Sequence, residues 1–430
     1  MRIQTHTADD QAAKTLEILQ LALRDYHPRD FSIRLWDGSE WLAETGSSRF
    51  TFVLNHPDGL QRFFQNPSSD LSIAEAFIRG ELDVEGELEA AMPLANHLIS
   101  QPLPASMLAR VGWKMLQARA SQFWSNGRPP AKLRGELHSL ERDRQAVTYH
   151  YDVSNDFYAL WLDPRLIYSC AYFETAGEEL ETAQENKLDY ICRKLRLATG
   201  ERLLDIGCGW GGLVIHAAQR YGVNALGITL SEKQARLANE RIARAGLENR
   251  CRVQIRDYRD LNDPGGFDKL VSVGMFEHVG EKQLPLYFQR AWQLLRPGGV
   301  FLNHGIARRE IDPQPQGPTF ISRYVFPDGE LVSINTALRY AEEAAFEVRD
   351  VESLREHYAL TLRLWARRLE DQRDQALRLV DEATYRVWRL FLAGSAHGFA
   401  SGALNIYQTL LLKPDHGSSD LPLTRNDWYS

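Results

Sequence analysis

The sequence of 430 residues is poor in cysteine and lacks any segment suited to membrane insertion or export. Its scattered cysteines include no Cys-x-x-Cys pair, so their spacing predicts neither a zinc site nor a disulfide framework. No apolar run is long enough to span a bilayer. The first residues do not combine a basic region with an apolar stretch, as a signal peptide does. We therefore expect a protein of the reducing cytoplasm.

An excess of positive charge is also absent. The formal net charge is −7, which argues against nucleic acid as a partner of the whole chain. Apolar residues make up 44% of the sequence, enough for a sizeable core. The length predicts two domains, and we find no internal repeat.

Acidic residues are missing from one long window, residues 90–135. Placed on a helix, Arg110 and Lys114 share one face, while Leu108 and Val111 share another. A basic amphipathic helix suits an anionic lipid surface. A helix that packs domains together and leaves its basic side solvated fits the same pattern, so both interpretations stay open. The basic residues of the window are Arg110, Lys114, Arg119, Arg128, Lys132 and Arg134.

The stretch 203–212 (LLDIGCGWGG) predicts a buried parallel strand, a glycine turn and the start of a helix. Gly207 and Gly209 allow a tight turn and a close approach to a ligand. Asp205 stands before the first glycine, where methyltransferases that use S-adenosylmethionine (AdoMet) often carry an acid. Thr229, rather than an acid, follows the next strand, which disfavours a common NAD ribose clamp. The stretch therefore favours AdoMet over a dinucleotide, although many nucleotide-binding folds share such a turn.

Strands and helices alternate after the glycine turn, with predicted strands at 225–228, 252–255, 267–273 and 300–304. Ser231 is the predicted N-cap of the helix that follows at 232–245. This alternation predicts an α/β fold, a doubly wound, Rossmann-like domain with its ligand at the carboxyl edge of the sheet. A smaller α+β domain, with a predicted strand at 50–54, precedes it, and residues from about 371 to 412 are predicted to be mostly helical. The predicted boundaries are 1–124 for the first domain, 125–140 for a linker, 141–414 for the second domain, 305–351 for an insertion over its site, and 415–430 for a loose tail.

Four further motifs flank the turn. Together with DIGCGWG they closely resemble the cyclopropane fatty acid synthase family, which includes the mycolic acid cyclopropane synthases, from about residue 145 to 412. The first domain resembles, more loosely, the amino-terminal domain of bacterial phospholipid cyclopropane synthases. The motifs are HYDVSNDFY at 150–158, YSCAYF at 168–173, GMFEHVG at 274–280 and FISRYVFP at 320–327.

The resemblance implies an AdoMet-dependent methyltransferase. Such an enzyme transfers the methyl group to a cis double bond of a lipid acyl chain, and the resulting carbocation loses a proton and closes to a cyclopropane. By resemblance, bound bicarbonate takes the proton, and its ligands correspond to Cys170 (through the backbone amide), Glu277, His304, Ile306 and Tyr358. The cofactor positions correspond to Tyr151, Tyr168, Ser169, Asp205, Gly207, Gly209, Thr229, Gln234 and Tyr258.

The chemistry makes demands that these residues can meet. An unactivated alkene is a poor nucleophile, so the site must align the methyl group with it and exclude water that would capture the cation. Aromatic faces stabilise a cation. Without the resemblance, a structural role fits each residue as well as a catalytic one: Glu277 could cap a helix, and His278 could be a packed histidine. The aromatic candidates are Tyr168, Tyr172, Phe173, Phe276, Tyr324 and Phe326.

The resemblance also implies partners and a location. We expect a homodimer at the inner face of the membrane, peripherally associated. Its substrate would be the unsaturated acyl chains of a phospholipid bilayer, and the first domain and the acid-free window would contact the anionic lipid surface. Three alternatives stay open: an enzyme that forms methyl-branched chains, a small-molecule N-methyltransferase of the coclaurine type, and a lipid-binding scaffold without activity.

Overall fold

The computed structural model describes residues 4–57, 59, 70–100, 130–151, 153–312 and 317–429, with backbone alone for 4–10. Arg110, Lys114, Arg119 and Arg128 of the acid-free window lie outside these ranges. The chain divides into two compact units that interleave in sequence. The first comprises Met1–Pro130, Pro315–Val325 and Val380–His397, and the second comprises Ala131–Gln314, Phe326–Leu379 and Gly398–Ser430.

The first unit is a small α+β structure around a four-stranded sheet of order β2-β1-β3-β4, in which β1 and β3 are parallel. Its core includes Phe31 and Phe50, whose stacked rings lie 4.8 Å apart. The strand predicted at 50–54 is confirmed. The elements are α1 Gln4–Ala22, β1 Ser32–Arg34, β2 Glu40–Trp41, β3 Phe50–Leu54, α2 Asp70–Ile78, β4 Leu82–Gly86 and α3 Met92–Ser100.

The second unit begins with three helices and then alternates strands with helices. Ser231 caps one of them, since its hydroxyl accepts a hydrogen bond from the backbone of Gln234, as predicted. The elements are α4 Leu140–Tyr151, α5 Asn155–Ala159, α6 Leu180–Lys194, β5 Arg202–Ile206, α7 Gly212–Tyr221, β6 Asn224–Thr229, α8 Glu232–Arg244, β7 Cys251–Ile255, β8 Phe267–Val273, α9 Leu284–Leu294, β9 Leu295–Arg308, α10 Ile334–Glu343, β10 Glu347–Ser353, α11 Arg355–Asp371, α12 Arg373–Leu379, α13 Glu382–Ala400 (assigned to the first unit as far as residue 397) and β11 Leu404–Leu412.

These strands form one seven-stranded sheet of order β10-β11-β9-β8-β5-β6-β7. Strands β5 to β9 are parallel, and β11 runs antiparallel to both neighbours. The chain winds outward from β5 in both directions, so the carboxyl ends of β5 and β8 mark the point at which such folds bind ligands. The predicted doubly wound α/β fold is confirmed. Within the described ranges, no helix has the length and apolar content needed to cross a bilayer.

Two predictions about the chain after residue 304 were wrong. The segment expected to be helical up to residue 412 ends in β11, which lies between β9 and β10 and is buried on both faces at its end. A short apolar run does not distinguish such a strand from a helix. The expected insertion at 305–351 also contributes to the sheet, since β9 continues to Arg308 and β10 begins at Glu347.

The loose tail was a third wrong prediction. Trp428 is 3% exposed and packs in the core of the second unit. The Arg425 guanidinium lies 2.8 Å from the carboxylate of Asp350, and that of Arg196 lies 2.7 Å from Asp427. The partners of these tail residues are far away in sequence, which is why composition alone suggested a loose segment.

Candidate active site

The glycine turn after β5 has the backbone geometry that its sequence predicts. Gly207 and Gly209 have φ angles of 84° and 54°, and the amides of Gly207 and Cys208 both donate to the carbonyl of Ile228. A Cβ atom on Gly207 would lie 2.7 Å from that of Met275, whereas one on Gly209 would meet nothing within 4 Å. Packing therefore requires the first glycine, and the second faces open space.

That space is a cleft of about 750 Å³, including the volume open to solvent. Its position at the carboxyl edge of β5 and β8, with glycine backbone on one side, suits a nucleoside such as that of AdoMet. Predicted cofactor residues in its lining are Tyr151, Gly207, Gly209, Thr229, Gln234 and Tyr258. Lining residues that the sequence analysis missed include Asp143, Val147, Arg256, Asp257, Arg259, Gly274 and Met275.

Hydrogen bonds within the protein orient the polar side chains at the end of β6. The hydroxyl of Thr229 donates to Oε1 of Gln234 at 2.8 Å and accepts from the amide of Ser231. This leaves the amide NH₂ of Gln234 as the donor beside the cleft. A neutral donor and acceptor pair thus occupies the place of the acid in a common NAD ribose clamp, which agrees with the preference for AdoMet.

A cluster of charged residues that we call the charged wall lies at the cleft. Its members Asp143, Asp257 and Arg259 line the cleft, and His138 and Glu330 belong to the same cluster. The Arg259 guanidinium lies 2.7 Å from the Asp257 carboxylate and 2.8 Å from that of Asp143. The carboxylates of Asp143 and Glu330 raise the pKa of His138 to about 9. Every member is therefore ion-paired within the protein. The sequence analysis missed this wall, although the position of Asp257 just after β7 was a signal for it.

His278 also lines the cleft, and the structure favours a packed, neutral histidine. Burial lowers its pKa to about 4. Its ring lies 5.6 Å from that of Phe326. A histidine with this pKa does not serve as a base near neutral pH, because its basicity is too low.

We refer to the residues predicted to bind bicarbonate, Cys170, Glu277, His304, Ile306 and Tyr358, together as the Glu277 pocket. The backbone amide of Ile306 donates to Oε1 of Glu277 at 2.7 Å, while Oε2 is buried without a partner among the described residues. Burial raises the pKa of Glu277 to about 7. Burial raises the pKa of Tyr358 as well, and Cys170 and Glu277 add to that effect, so these side chains are close enough to interact electrostatically.

His304 lies on β9, two residues before Ile306 on the same strand. Its side chain is fully buried, and neither ring nitrogen has a hydrogen-bond partner among the described residues. Burial, together with the positive charges of Lys187 and Lys194, holds its pKa well below the usual range. The imidazole is therefore neutral, with one nitrogen that donates and one that accepts.

The Cys170 thiol is not set up as a nucleophile. It is buried and donates to the carbonyls of Ala171 and Leu354, at 3.3 and 3.7 Å. Burial raises its pKa well above the ordinary value. Because the thiolate is the reactive form, this geometry leaves the backbone as the part of Cys170 that can bind a ligand.

The remaining predicted cofactor residues lie outside the lining of the cleft. Ser169 accepts a hydrogen bond from Lys187 at 2.7 Å through its hydroxyl, and one from the side chain of Gln184 at 2.9 Å through its carbonyl. Asp205 is 2% exposed, and burial raises its pKa to about 7 although Lys187 lowers it. Helix α6 thus holds the loop at Ser169, while Asp205 lies beneath the glycine turn.

The aromatic candidates do not form one cluster. Tyr168 and Phe326 pack on the ring of His150, at 5.7 and 4.1 Å. Tyr151 joins them, 6.3 Å from Tyr168. The others pack elsewhere: Tyr172 and Phe173 against His357, Phe276 against Tyr287, and Tyr324 against Phe320 in the first unit.

Comparison with known proteins decides the family. The family model described as mycolic acid cyclopropane synthetase matches residues 138–409. The chain belongs to this family. It is 42% identical to a probable fatty acid methyltransferase of Pseudomonas putida over 97% of this chain and 99% of that protein.

Two solved structures of the family agree with the fold. The cyclopropane synthase MmaA2 from Mycobacterium tuberculosis is 34% identical with a TM-score of 0.61, covering 65% of this chain and 100% of its own. Mycolic acid cyclopropane synthase CmaA1, complexed with SAH and CTAB, is 36% identical with a TM-score of 0.60, covering 63% and 98%. The chain is therefore an AdoMet-dependent methyltransferase of the cyclopropane synthase family.

Proposed function

We propose that this methyltransferase acts on the cis double bond of an unsaturated acyl chain in a membrane phospholipid and closes a cyclopropane ring. The observation that carries the proposal is the Glu277 pocket. It holds a carboxylate oxygen and two imidazole nitrogens that are buried without partners among the described residues. Buried polar atoms in native proteins are almost always hydrogen-bonded, so this pocket fits a small polar ligand with several oxygens.

Bicarbonate, when bound there, supplies a base that removes a proton from the new methyl group. The neutral His304 offers one N–H donor, and the hydroxyl of Tyr358 offers another. Glu277 accepts a hydrogen bond when ionised and donates one when protonated, and its pKa of about 7 makes both forms accessible. In this arrangement Ile306 acts through Glu277, because its amide already donates to that carboxylate.

Exclusion of water is the second requirement of a carbocation reaction. Tyr151, Tyr168 and Phe326 surround His150 with aromatic faces beside the cleft. Such faces stabilise a desolvated cation by about 2 kcal/mol or less each. These side chains therefore favour the cation and leave few polar groups to hold water near it.

The substrate presentation that we propose involves the first unit and the acid-free window, which would contact an anionic bilayer at the inner face of the membrane. Support comes from the six basic residues of that window and its lack of acids.

Replacing Arg110, Lys114 and Arg119 with glutamine should weaken binding to anionic vesicles in a flotation assay while AdoMet binding is retained. Equal flotation of both proteins would contradict this. A homodimer stays part of the proposal, to be tested by light scattering.

A methyl-branched product is the second candidate. It is favoured by the 42% identity, over nearly the full length of both chains, to a protein named probable fatty acid methyltransferase. Both products share the methyl transfer and the cation. They differ in the fate of that cation. Loss of a proton with ring closure gives the cyclopropane, whereas loss of a proton without ring closure gives a branched alkene, which needs a separate hydride donor to become a methyl-branched chain. The residues of the Glu277 pocket would serve proton removal in either case.

Mass spectrometry distinguishes the candidates. The protein is incubated with methyl-deuterated AdoMet and monounsaturated phospholipid vesicles, and the fatty acids are analysed. A ring product keeps two of the three deuteriums, has no double bond and resists mild hydrogenation. A methylene-branched product takes up hydrogen, and with an added hydride donor it would become a methyl-branched chain heavier by two hydrogens, so either product would favour the second candidate. Methylation of an added amine, with no lipid product, would refute both.

A further inference from the structure

A buried glutamine lies beside His304 on the neighbouring strand. Gln408 on β11 is the cross-strand partner of His304 on β9. Directly opposed residues of an antiparallel pair project from the same face of the sheet, with Cβ atoms about 4.5–5.5 Å apart. The two side chains are therefore within reach of each other through ordinary side-chain torsions.

Both side chains are buried, and neither has a hydrogen-bond partner among the residues that the structure describes. Gln408 is 1% exposed and His304 is fully buried. Within the described part of the chain, neither the amide oxygen nor the amide nitrogen of Gln408 has a hydrogen-bond partner, and the same holds for both nitrogens of His304. Two adjacent groups that each offer a donor and an acceptor are complementary to one another.

The charges around His304 make its orientation matter. Lys194 pairs with Glu352 and lies 3.7 Å from Asp350, and Lys187 bonds to the hydroxyl of Ser169. Both lysines disfavour protonation of His304, so the imidazole stays neutral. A neutral imidazole presents a proton on one nitrogen only, and the bond at the other nitrogen decides which one carries it.

We propose that Gln408 is the positioning residue of His304, its amide N–H bonding one imidazole nitrogen so that the other directs its N–H into the Glu277 pocket. The inference deepens the proposed function, on which it rests. Groups of this kind, which orient a ligand-binding histidine through its second nitrogen, are common at metal sites, and the same physics applies to an anion.

Glutamine suits this role because of its neutral amide. A carboxylate at position 408 would only accept hydrogen bonds and would draw the imidazole proton toward itself. A leucine would fill the space and offer neither donor nor acceptor. Gln408→Glu should therefore reverse the direction of the hydrogen bond that we infer, and Gln408→Leu should remove it.

The first test reads the imidazole directly. Protein labelled with ¹⁵N-histidine is examined by NMR, and the signals of His304 are identified by their loss in His304→Gln. We expect one dominant neutral tautomer in the wild type, a mixture in Q408L and the reversed tautomer in Q408E. Thr409→Val is the matched control, because Thr409 is the next buried polar residue of β11 and faces the opposite side of the sheet. Identical His304 spectra in wild type and Q408L would overturn the proposal.

The second test reads turnover. We expect Q408L to lower turnover about 10- to 100-fold, with the KM for AdoMet unchanged, and Gln408→Asn to restore part of it. Unchanged turnover in a well-folded Q408L would refute the role. If Q408E does not fold, the NMR spectrum and turnover of Q408L and Q408N still test the proposal. Because the NMR test requires no product, it distinguishes failure of this inference from failure of the proposed reaction.

Discussion

The charged wall and the Glu277 pocket lie in the same unit and satisfy their polar groups in opposite ways. In the wall, Arg259 is held between Asp143 and Asp257, and His138 between Asp143 and Glu330. In the pocket, Glu277 and His304 have buried atoms without hydrogen-bond partners in the described part of the chain. The first arrangement needs nothing from outside the protein, whereas the second fits the bound ligand that we propose.

The difference appears in the pKa values. Partners in the wall raise the pKa of His138 and so stabilise its charged form, whereas burial in the pocket raises that of Glu277 and lowers that of His304, which favours both neutral forms. A region that stabilises charge serves the fold at neutral pH. A region that disfavours charged side chains lowers the free energy of unfolding, as expected of a binding or catalytic site.

The largest expected effect is on turnover in Glu277→Gln. Glutamine keeps an acceptor for the Ile306 amide but cannot exchange a proton, so we expect turnover to fall about 10²- to 10³-fold. AdoMet affinity, measured by calorimetry, should be unchanged. The exposed Glu248→Gln is the control. If turnover falls less than threefold in E277Q, Glu277 has no direct role in the reaction.

The same variant should reveal the cost of burying a carboxylate. The pKa of Glu277 is raised from 4.5 to about 7, so its neutral form stabilises the fold below pH 4.5, and this contribution disappears as the pH rises through 7. Relative to E277Q, the wild type should lose about 3 kcal/mol of unfolding free energy between about pH 4 and about pH 8. Urea titrations at several pH values measure this, and parallel curves would contradict it.

Asp143→Asn removes a partner that stabilises a charged histidine, so its effect on stability should also depend on pH. The pKa of His138 is raised to about 9, first by Asp143, so its charged form stabilises the fold below pH 6.5 and this contribution is lost as the pH rises through 9. We expect D143N to be less stable by about 1–2 kcal/mol at pH 6, with a smaller difference at pH 10. The exposed Asp374→Asn is the control, and an equal deficit at both pH values would refute the assignment.

The smallest expected effect is that of Thr229→Val. Its hydroxyl orients Gln234 at the cleft, and loss of one such bond costs about 1 kcal/mol. AdoMet affinity should fall by roughly fivefold, with turnover at saturating AdoMet unchanged. Calorimetry and steady-state kinetics separate the two, and a large loss of turnover would mean that Thr229 acts beyond the cofactor cleft.

Local patterns were sufficient to predict the parallel core of the sheet. The strand at 267–273, the cap at Ser231 and the turn at Gly207 depend on neighbours within a few residues, and all three are present in the structure. Strand β11 was missed because its pairing with β9 joins residues about a hundred positions apart, and the ordered tail was missed for the same reason.

The sequence by itself determined the family and the glycine turn, because each of these is carried by short contiguous motifs. The residues of the Glu277 pocket stay a prediction from the same motifs. Tertiary structure alone decided that Asp205 lies beneath the turn, that Arg259 joins two carboxylates, and that Gln408 stands beside His304. The physical reason is that burial and pairing depend on chain segments brought together by folding. The same side chain is charged in one surrounding and neutral in another.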